Sequence, residues 1–117
     1  MNLIPLRVLV VEDEMTIALM IEDMLTDMGH HVAGLAMRLP QAVELARTLD
    51  LDLAILDINL DGRPSFPVAD ILLARGVPLM FASGYGSPGL EPPYEGRPVL
   101  RKPFEARDLM GAIARAA

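Results

Sequence analysis

Residues 7–13, RVLVVED, give the clearest indication of the fold of this chain. A continuous run of β-branched and aliphatic side chains is typical of a strand buried on both faces of a parallel sheet. Four further apolar runs are predicted to be strands, at 31–36, 51–57, 77–83 and 97–102. Patterns of helical periodicity separate these runs. The alternation predicts right-handed crossovers and a doubly wound α/β fold, a five-stranded parallel sheet with helices on both faces.

The intervening helices have recognisable start and stop signals. Four helices are predicted, at 15–28, 40–50, 66–75 and 105–117. Gly29 and Gly76 follow two of them and are suited to end a helix. Pro40 suits the first position of another, where the N–H that proline lacks is not needed.

The connection between the fourth and fifth strands departs from this pattern. It spans 84–98 and contains eight Gly or Pro among fifteen residues. An interior Gly or Pro costs a helix about 1–3 kcal/mol relative to alanine, so the fourth helix of the pattern is predicted to be irregular or missing. The chain shows no internal repeat and no domain boundary, and residues 1–117 are predicted to form one domain.

Composition and charge limit the classes of function. The 117 residues are 52% hydrophobic, which is enough for one core. No apolar run approaches the roughly 18 residues of a membrane span, and the start of the chain does not resemble an export signal. The chain has no cysteine, and ten basic against sixteen acidic residues give a net charge of −6. We therefore expect a cytoplasmic protein that contacts neither membranes nor nucleic acid directly, because nucleic-acid binding needs a basic face.

Polar side chains stand at the carboxyl ends of four predicted strands. Glu12 and Asp13 end the first strand, Asp57 the third, Ser83 the fourth and Lys102 the fifth. In open parallel α/β sheets, ligands bind outside this edge. Three carboxylates, a hydroxyl and an ammonium group are therefore expected to converge there.

Each of these residues also has a purely structural interpretation. Asp13 could cap the helix that follows. Asp57 could be a turn former, because Asn59, Asp61 and Gly62 follow it. The segment DGRPSF (61–66) after this strand is predicted to be a loop. Lys102 could be a solvated surface lysine in a chain that otherwise uses nine arginines. Suitable groups at four separate strand ends are improbable by chance, which favours a functional site.

The chemistry of such a cluster is specific. Close carboxylates raise one another's pKa unless a cation lies among them, and oxygen ligands with open water positions suit Mg²⁺. A carboxylate beside this ion can attack a phosphoryl group and form an aspartyl phosphate. A hydroxyl donor and a compact cation stabilise the charge that develops on the phosphoryl oxygens. Lys102, the only lysine of the chain, provides a point charge where an arginine would provide a wide planar fork.

Four motifs, in this order and at this spacing, resemble the receiver domain of two-component response regulators: VLVVEDE (8–14), LAILDINLDG (53–62), FASGYG (81–86) and VLRKPF (99–104). The match spans almost the whole chain. The resemblance implies the flavodoxin-like strand order 2-1-3-4-5. It also implies that Asp57 is the phosphoacceptor and that Mg²⁺ is bound by Glu12, Asp13, Asp57 and the backbone carbonyl of Asn59.

The same resemblance implies roles for the residues around the phosphoryl group. Ser83 occupies the position of the family's switch Thr or Ser, and Lys102 that of its lysine. Both side chains would contact the phosphoryl group. The peptide bond between Lys102 and Pro103 would be cis.

Two features depart from the usual receiver pattern. Val99 occupies the position where receivers usually have an aromatic switch residue, and 84–98 lacks the pattern of a regular helix. In both features the chain resembles a subgroup of single-domain, mainly alphaproteobacterial receivers. The fourth strand of these receivers contains Phe-Ala-Thr/Ser-Gly-Tyr, which corresponds here to 81–85. We therefore hypothesise that Ser83 and Tyr85 together form the switch, and we expect a single-domain protein.

The favoured function is a phosphorylation-dependent receiver that accepts a phosphoryl group on Asp57 from a sensor histidine kinase or a phosphotransfer protein. It is expected to act as a monomer, through a downstream protein that the sequence does not name or as a phosphate sink. It is not expected to be an enzyme beyond its own phosphorylation and dephosphorylation. One alternative is a Mg²⁺-dependent phosphohydrolase that works through an aspartyl phosphate, although Asn59 stands where a general acid would follow Asp57. The other alternative is a degenerate receiver that serves only as an interaction module.

Overall fold

A five-stranded parallel sheet forms the centre of the protein. The computed structural model describes residues 4–84 and 94–116. Its strands are β1 (Arg7–Val11), β2 (His31–Ala36), β3 (Leu53–Asp57), β4 (Asn59–Leu60), β5 (Arg63–Pro64), β6 (Leu79–Ser83) and β7 (Val99–Arg101). The sheet has the order β2-β1-β3-β6-β7, and every neighbouring pair is parallel. The strands β4 and β5 form a separate antiparallel hairpin and are not part of this sheet. When only the five sheet strands are numbered, their order is 2-1-3-4-5, as predicted.

Helices cover both faces of the sheet, as predicted. They are α1 (Met15–Asp27), α2 (Leu39–Thr48), α3 (Phe66–Ala74) and α4 (Ala106–Ala116). Val8 and Val10 of β1 pack with α1 and α4 on one face, whereas Leu9 and Val11 pack with α2 and α3 on the other. Both faces of β1 are therefore buried, which explains its uninterrupted apolar sequence. Within 4–84 and 94–116, no helix is long and apolar enough to cross a membrane.

The connection between β6 and β7 is irregular where the structure describes it, as predicted. Residues 94–96 form a turn that leads into β7. Tyr85, the residue of the hypothetical switch in this connection, lies outside the described residues. The structure therefore tests the expected irregular segment only at Gly84 and at 94–98.

An aromatic cluster packs the end of this connection against the core. It was not predicted from the sequence. The ring of Tyr94 stacks on Phe66 of α3, with centroids 4.4 Å apart and ring planes 7° from parallel. Tyr94 also makes a T-shaped contact with Phe81 of β6, at 6.0 Å between centroids. Its hydroxyl donates a hydrogen bond of 2.6 Å to Asp70 Oδ1. Burial and the adjacent carboxylate raise the pKa of Tyr94 to about 12, because both disfavour the phenolate.

Substitution of Tyr94 tests how much its ring stack and its hydrogen bond stabilise the protein. We expect Tyr94→Phe to lower the free energy of unfolding by roughly 0.5–1 kcal/mol, because it removes one partly exposed hydrogen bond and keeps the ring stack. Tyr94→Ala also removes the stack and should lower it by roughly 2–3 kcal/mol. Urea denaturation measures both values, and Asp70→Asn is the control for the hydrogen bond. Wild-type stability in Tyr94→Ala would show that the cluster does not hold the connection.

Candidate functional site

Three carboxylates meet at the carboxyl edge of the sheet. Glu12 and Asp13 directly follow β1, and Asp57 is the last residue of β3, which pairs with β1. One oxygen of each of these side chains lies within 4.8 Å of the others. The pairing of β1 with β3 therefore brings together the acidic residues that were predicted to converge.

Lys102 contacts two of these carboxylates. It follows β7, and its backbone N–H donates to the carbonyl of Ser83 at 2.9 Å. Its Nζ lies 2.6 Å from Glu12 Oε1 and 2.9 Å from Asp57 Oδ2. Burial alone would lower the pKa of Lys102, but the two carboxylates raise it, so the amine is held as an ammonium ion. The peptide bond from Lys102 to Pro103 is cis, the isomer that the resemblance implies.

The two carboxylates that contact Lys102 are withdrawn from solvent. The side chain of Glu12 is 0% exposed and that of Asp57 is 7% exposed. Burial raises the pKa of Glu12 to about 7, because it outweighs the attraction of the ammonium group. Burial also raises the pKa of Asp57, against the opposing effects of Lys102 and of the Asn59 N–H. Buried acids with raised pKa values at this edge of an α/β sheet are typical of a functional site.

Asp13 differs from its two neighbours in its partners. Its Oδ2 accepts a hydrogen bond of 3.0 Å from the N–H of Asp61. Burial alone would raise the pKa of Asp13, but its contacts with Asp57 and with the Asp61 N–H together lower it. The structural alternative, in which Asp13 caps α1, is wrong. Glu14 is the N-cap residue, and in the described part of the chain no side-chain hydrogen bond caps this helix.

The other predicted site residues lie at the same edge. Ser83 is the last residue of β6 and is half-buried. Its hydroxyl donates to the carbonyl of Gly84 at 3.2 Å, so it is turned to the backbone beside it. Asn59 begins β4, and its N–H donates to Asp57 Oδ1 at 3.3 Å. The backbone two residues after Asp57 thus contributes to the site.

The hairpin behind β3 is a second feature that the sequence analysis missed. The segment DGRPSF was expected to be a loop, but β4 pairs with β5 across the two-residue turn formed by Asp61 and Gly62. Both turn residues have positive φ angles, 50° for Asp61 and 85° for Gly62. The signal was present, because an Asp-Gly pair is the usual sequence of a tight hairpin turn.

The carboxylate cluster fits a magnesium ion. Three carboxylates and one ammonium group leave an excess of negative charge at a partly buried site. Oε2 of Glu12 accepts from the Glu14 N–H at 3.1 Å, and the buried Oε1 lies 2.6 Å from the Lys102 ammonium group. Hard carboxylate oxygens with excess charge at a partly open edge are the ligands that Mg²⁺ prefers.

The fold and the polar residues at the edge of the sheet indicate the kind of protein. A doubly wound sheet of five strands, with acidic residues after β1 and at the end of β3 and a lysine after β7, is the arrangement of a receiver. The family model of the response regulator receiver domain matches residues 8–114. The chain belongs to this family, whose receivers function in phosphorylation-dependent signalling.

Two bacterial regulators are similar to this chain along most of its length. The transcriptional regulatory protein PdtaR of Mycobacterium tuberculosis is 32% identical over 94% of this chain and 56% of its own length. The phyllosphere-induced regulator PhyR of Methylorubrum extorquens is 31% identical over 94% of this chain and 43% of its own length. The chain thus spans about half the length of these relatives.

The solution structure of SdrG from Sphingomonas melonis Fr1 is similar over nearly the whole of both chains. Its TM-score is 0.87 at 36% identity, and the match covers 96% of each chain. The BeF3-activated conformation of SdrG has a TM-score of 0.78 and covers 93% of each chain. These similarities support the subgroup that the sequence at 81–85 indicates.

Proposed function

We propose that Asp57 accepts a phosphoryl group from the phosphohistidine of a sensor histidine kinase or a phosphotransfer protein. The observation that carries this proposal is the 2.9 Å contact between Lys102 Nζ and Asp57 Oδ2, beside two further carboxylates. In the transfer, an Asp57 oxygen bonds to phosphorus while the bond from phosphorus to the histidine nitrogen breaks. The ammonium group of Lys102 then lies where it can compensate the added negative charge.

Four residues would hold Mg²⁺ at this site: Glu12, Asp13, Asp57 and, through its backbone carbonyl, Asn59. When bound, the ion supplies positive charge that neutralises the carboxylate and phosphoryl oxygens. Glu12 and Asp13 follow β1, whereas Asp57 and Asn59 flank the end of β3. The proposed ligands therefore come from the ends of two adjacent strands.

Ser83 and Tyr85 are proposed to form the switch that responds to phosphorylation. The Ser83 hydroxyl, which donates to the Gly84 carbonyl, would rotate to donate to the phosphoryl group. A backbone hydrogen bond of 2.9 Å between Lys102 and Ser83 holds the two residues next to each other at the site. The role of Tyr85 rests on its place in the sequence, two residues after Ser83.

The phosphorylated form is proposed to act on a protein partner, as a cytoplasmic monomer with residues 1–117 as one domain. A net charge of −6 supports a protein partner over direct contact with nucleic acid. No enzymatic activity is assigned beyond the protein's own phosphorylation and dephosphorylation. Hydrolysis of an external phosphate ester would need a general acid, and the amide of Asn59 cannot provide a proton in that way.

Removal of Mg²⁺ is expected to abolish phosphorylation. With Mg²⁺ and acetyl phosphate, intact mass should increase by one phosphoryl group, and peptide mapping should place it on Asp57. With excess chelator the mass should stay unchanged, because clustered carboxylates repel an anionic donor. Equal labelling in chelator would contradict the proposal, and rapid multiple turnover of the donor would favour a phosphohydrolase.

A further inference from the structure

The hairpin of β4 and β5 contacts the acidic cluster at its tip. The N–H of Asp61 donates to Asp13 Oδ2 at 3.0 Å, across 48 positions of the chain. The base of the hairpin is closed by the Ser65 N–H, which donates to the Ile58 carbonyl at 2.8 Å. Leu60 is 2% exposed and packs in the core beneath α3. The hairpin is thus fixed at its base, and its tip reaches one of the three carboxylates.

The position of the Asp61 N–H depends on the backbone of the turn. Asp61 and Gly62 both have positive φ angles, which a two-residue turn of this type requires and which most side chains disfavour. A Cβ at Gly62 would meet no atom within 4 Å, so the constraint at this position is conformational and not steric. Any residue that resists a positive φ at position 62 will therefore displace the tip.

The orientation of Asp13 depends in turn on this N–H. Asp13 lies between β1 and α1 and does not occupy the N-cap position of α1, which belongs to Glu14. The side chain of Asp13 is only half-buried, so packing alone leaves it rotational freedom. The hydrogen bond from Asp61 holds one carboxylate oxygen in place while the group lies within reach of Glu12 and Asp57.

We propose that the Asp61–Gly62 turn is a positioning element that orients Asp13 for the cation. This role rests on the proposed function, in which Asp13 is a ligand of Mg²⁺. Hydrogen-bond partners of metal ligands fix the ligand's orientation, and their loss typically weakens metal binding. The hairpin therefore contributes to the site twice, through Asn59 beside Asp57 and through the N–H that holds Asp13.

Magnesium titration of glycine variants tests the positioning role. Gly62→Ala should raise the Mg²⁺ dissociation constant about tenfold, measured by calorimetry on the full chain. Gly29→Ala is the matched control, because Gly29 has a φ of 88° and an added Cβ there would also meet no atom within 4 Å, yet it follows α1 far from the site. Gly62→Asn should restore much of the affinity, since asparagine tolerates positive φ. Equal effects of Gly62→Ala and Gly29→Ala, or no effect of either, would overturn the proposal.

Amide hydrogen exchange tests the hydrogen bond without Mg²⁺ or a phosphodonor. In Asp13→Ala, the Asp61 amide should exchange roughly tenfold faster, while the Ser65 amide at the base of the hairpin should be unchanged. Unchanged exchange at Asp61, or equal acceleration at Ser65, would overturn the positioning role. Absence of Mg²⁺ binding in the wild type would overturn the proposed function and the positioning of a ligand with it. If the wild type does not bind Mg²⁺ but exchange in Asp13→Ala is accelerated at Asp61 and not at Ser65, the contact between the tip and Asp13 is established without a role in metal binding.

Discussion

Asp57→Asn is expected to abolish phosphorylation by acetyl phosphate and by a histidine kinase. The amide is nearly the same size as the carboxylate, so the substitution keeps the shape of the site, but an amide oxygen is a far poorer nucleophile. Lys102 would keep its contact with Glu12 at 2.6 Å, which limits the disturbance of the surroundings. Intact mass after incubation with the donor and Mg²⁺ measures the result, and we expect no phosphorylated species.

Asp50→Asn is the matched control for this loss. Asp50 is an exposed aspartate that precedes β3, whereas Asp57 lies at the opposite end of the same strand. The control should therefore be phosphorylated as the wild type is, and both variants should have a cooperative unfolding transition. Undiminished labelling of Asp57→Asn would show that the phosphoacceptor is another residue.

Lys102→Met is expected to lower the free energy of unfolding by roughly 3 kcal/mol in buffer without Mg²⁺. Loss of one partner of a buried ion pair leaves an uncompensated charge, which is strongly destabilising. Here two carboxylates lose their cation, and the side chain of Glu12 is 0% exposed. Addition of Mg²⁺ should recover part of the loss, because a ligand that binds only the folded state stabilises it. Urea denaturation with and without the ion measures both effects.

Arg101→Met is the control for Lys102→Met. Arg101 is the preceding residue and is exposed, so its replacement should change the free energy of unfolding by less than about 0.5 kcal/mol. The double variant Glu12→Gln with Lys102→Met should be more stable than Lys102→Met alone, because it removes one of the unpaired charges. If Lys102→Met is as stable as Arg101→Met, the ion pairs do not compensate the buried carboxylates.

Lys102→Arg separates the charge of Lys102 from its shape. The substitution keeps a cation near Glu12 and Asp57, and we expect it to preserve more stability than Lys102→Met. It should nevertheless impair the phosphorylated state, because a wide planar guanidinium does not replace a compact ammonium group held between two carboxylates. Normal signalling by Lys102→Arg would mean that the single lysine reflects only the arginine-rich composition of the chain.

The parts of the fold that depend on local pattern were predictable. The apolar run of β1 and the helical spacing in α1 gave the right element types, with ends within a few residues of the structure. The predicted strand 7–13 ends at Val11 in the structure, although the Glu12 N–H still donates to the Ala36 carbonyl of β2. Hydrophobic periodicity indicates where a strand passes through the core, but it does not mark the residue at which the chain leaves the sheet.

The features of the fold and of the site that depend on remote contacts were not predictable from local pattern. Tyr94 lies in a segment rich in Gly and Pro, and nothing local indicates that its ring stacks on Phe66 and contacts Phe81. The hairpin turn did have a local signal in the Asp61-Gly62 pair. That signal gave no indication that the Asp61 N–H binds Asp13, because the partner lies 48 positions away.

The fold class, the family and the chemical groups at the strand ends follow from the sequence, because periodicity and motif spacing are properties of the linear chain. The pairing of those groups depends on the tertiary structure. The packing of β1, β3 and β7 into one sheet brings Lys102 against Glu12 and Asp57 and buries both carboxylates. Burial and the distance between remote side chains set their charge states, and both exist only once the strands have packed together.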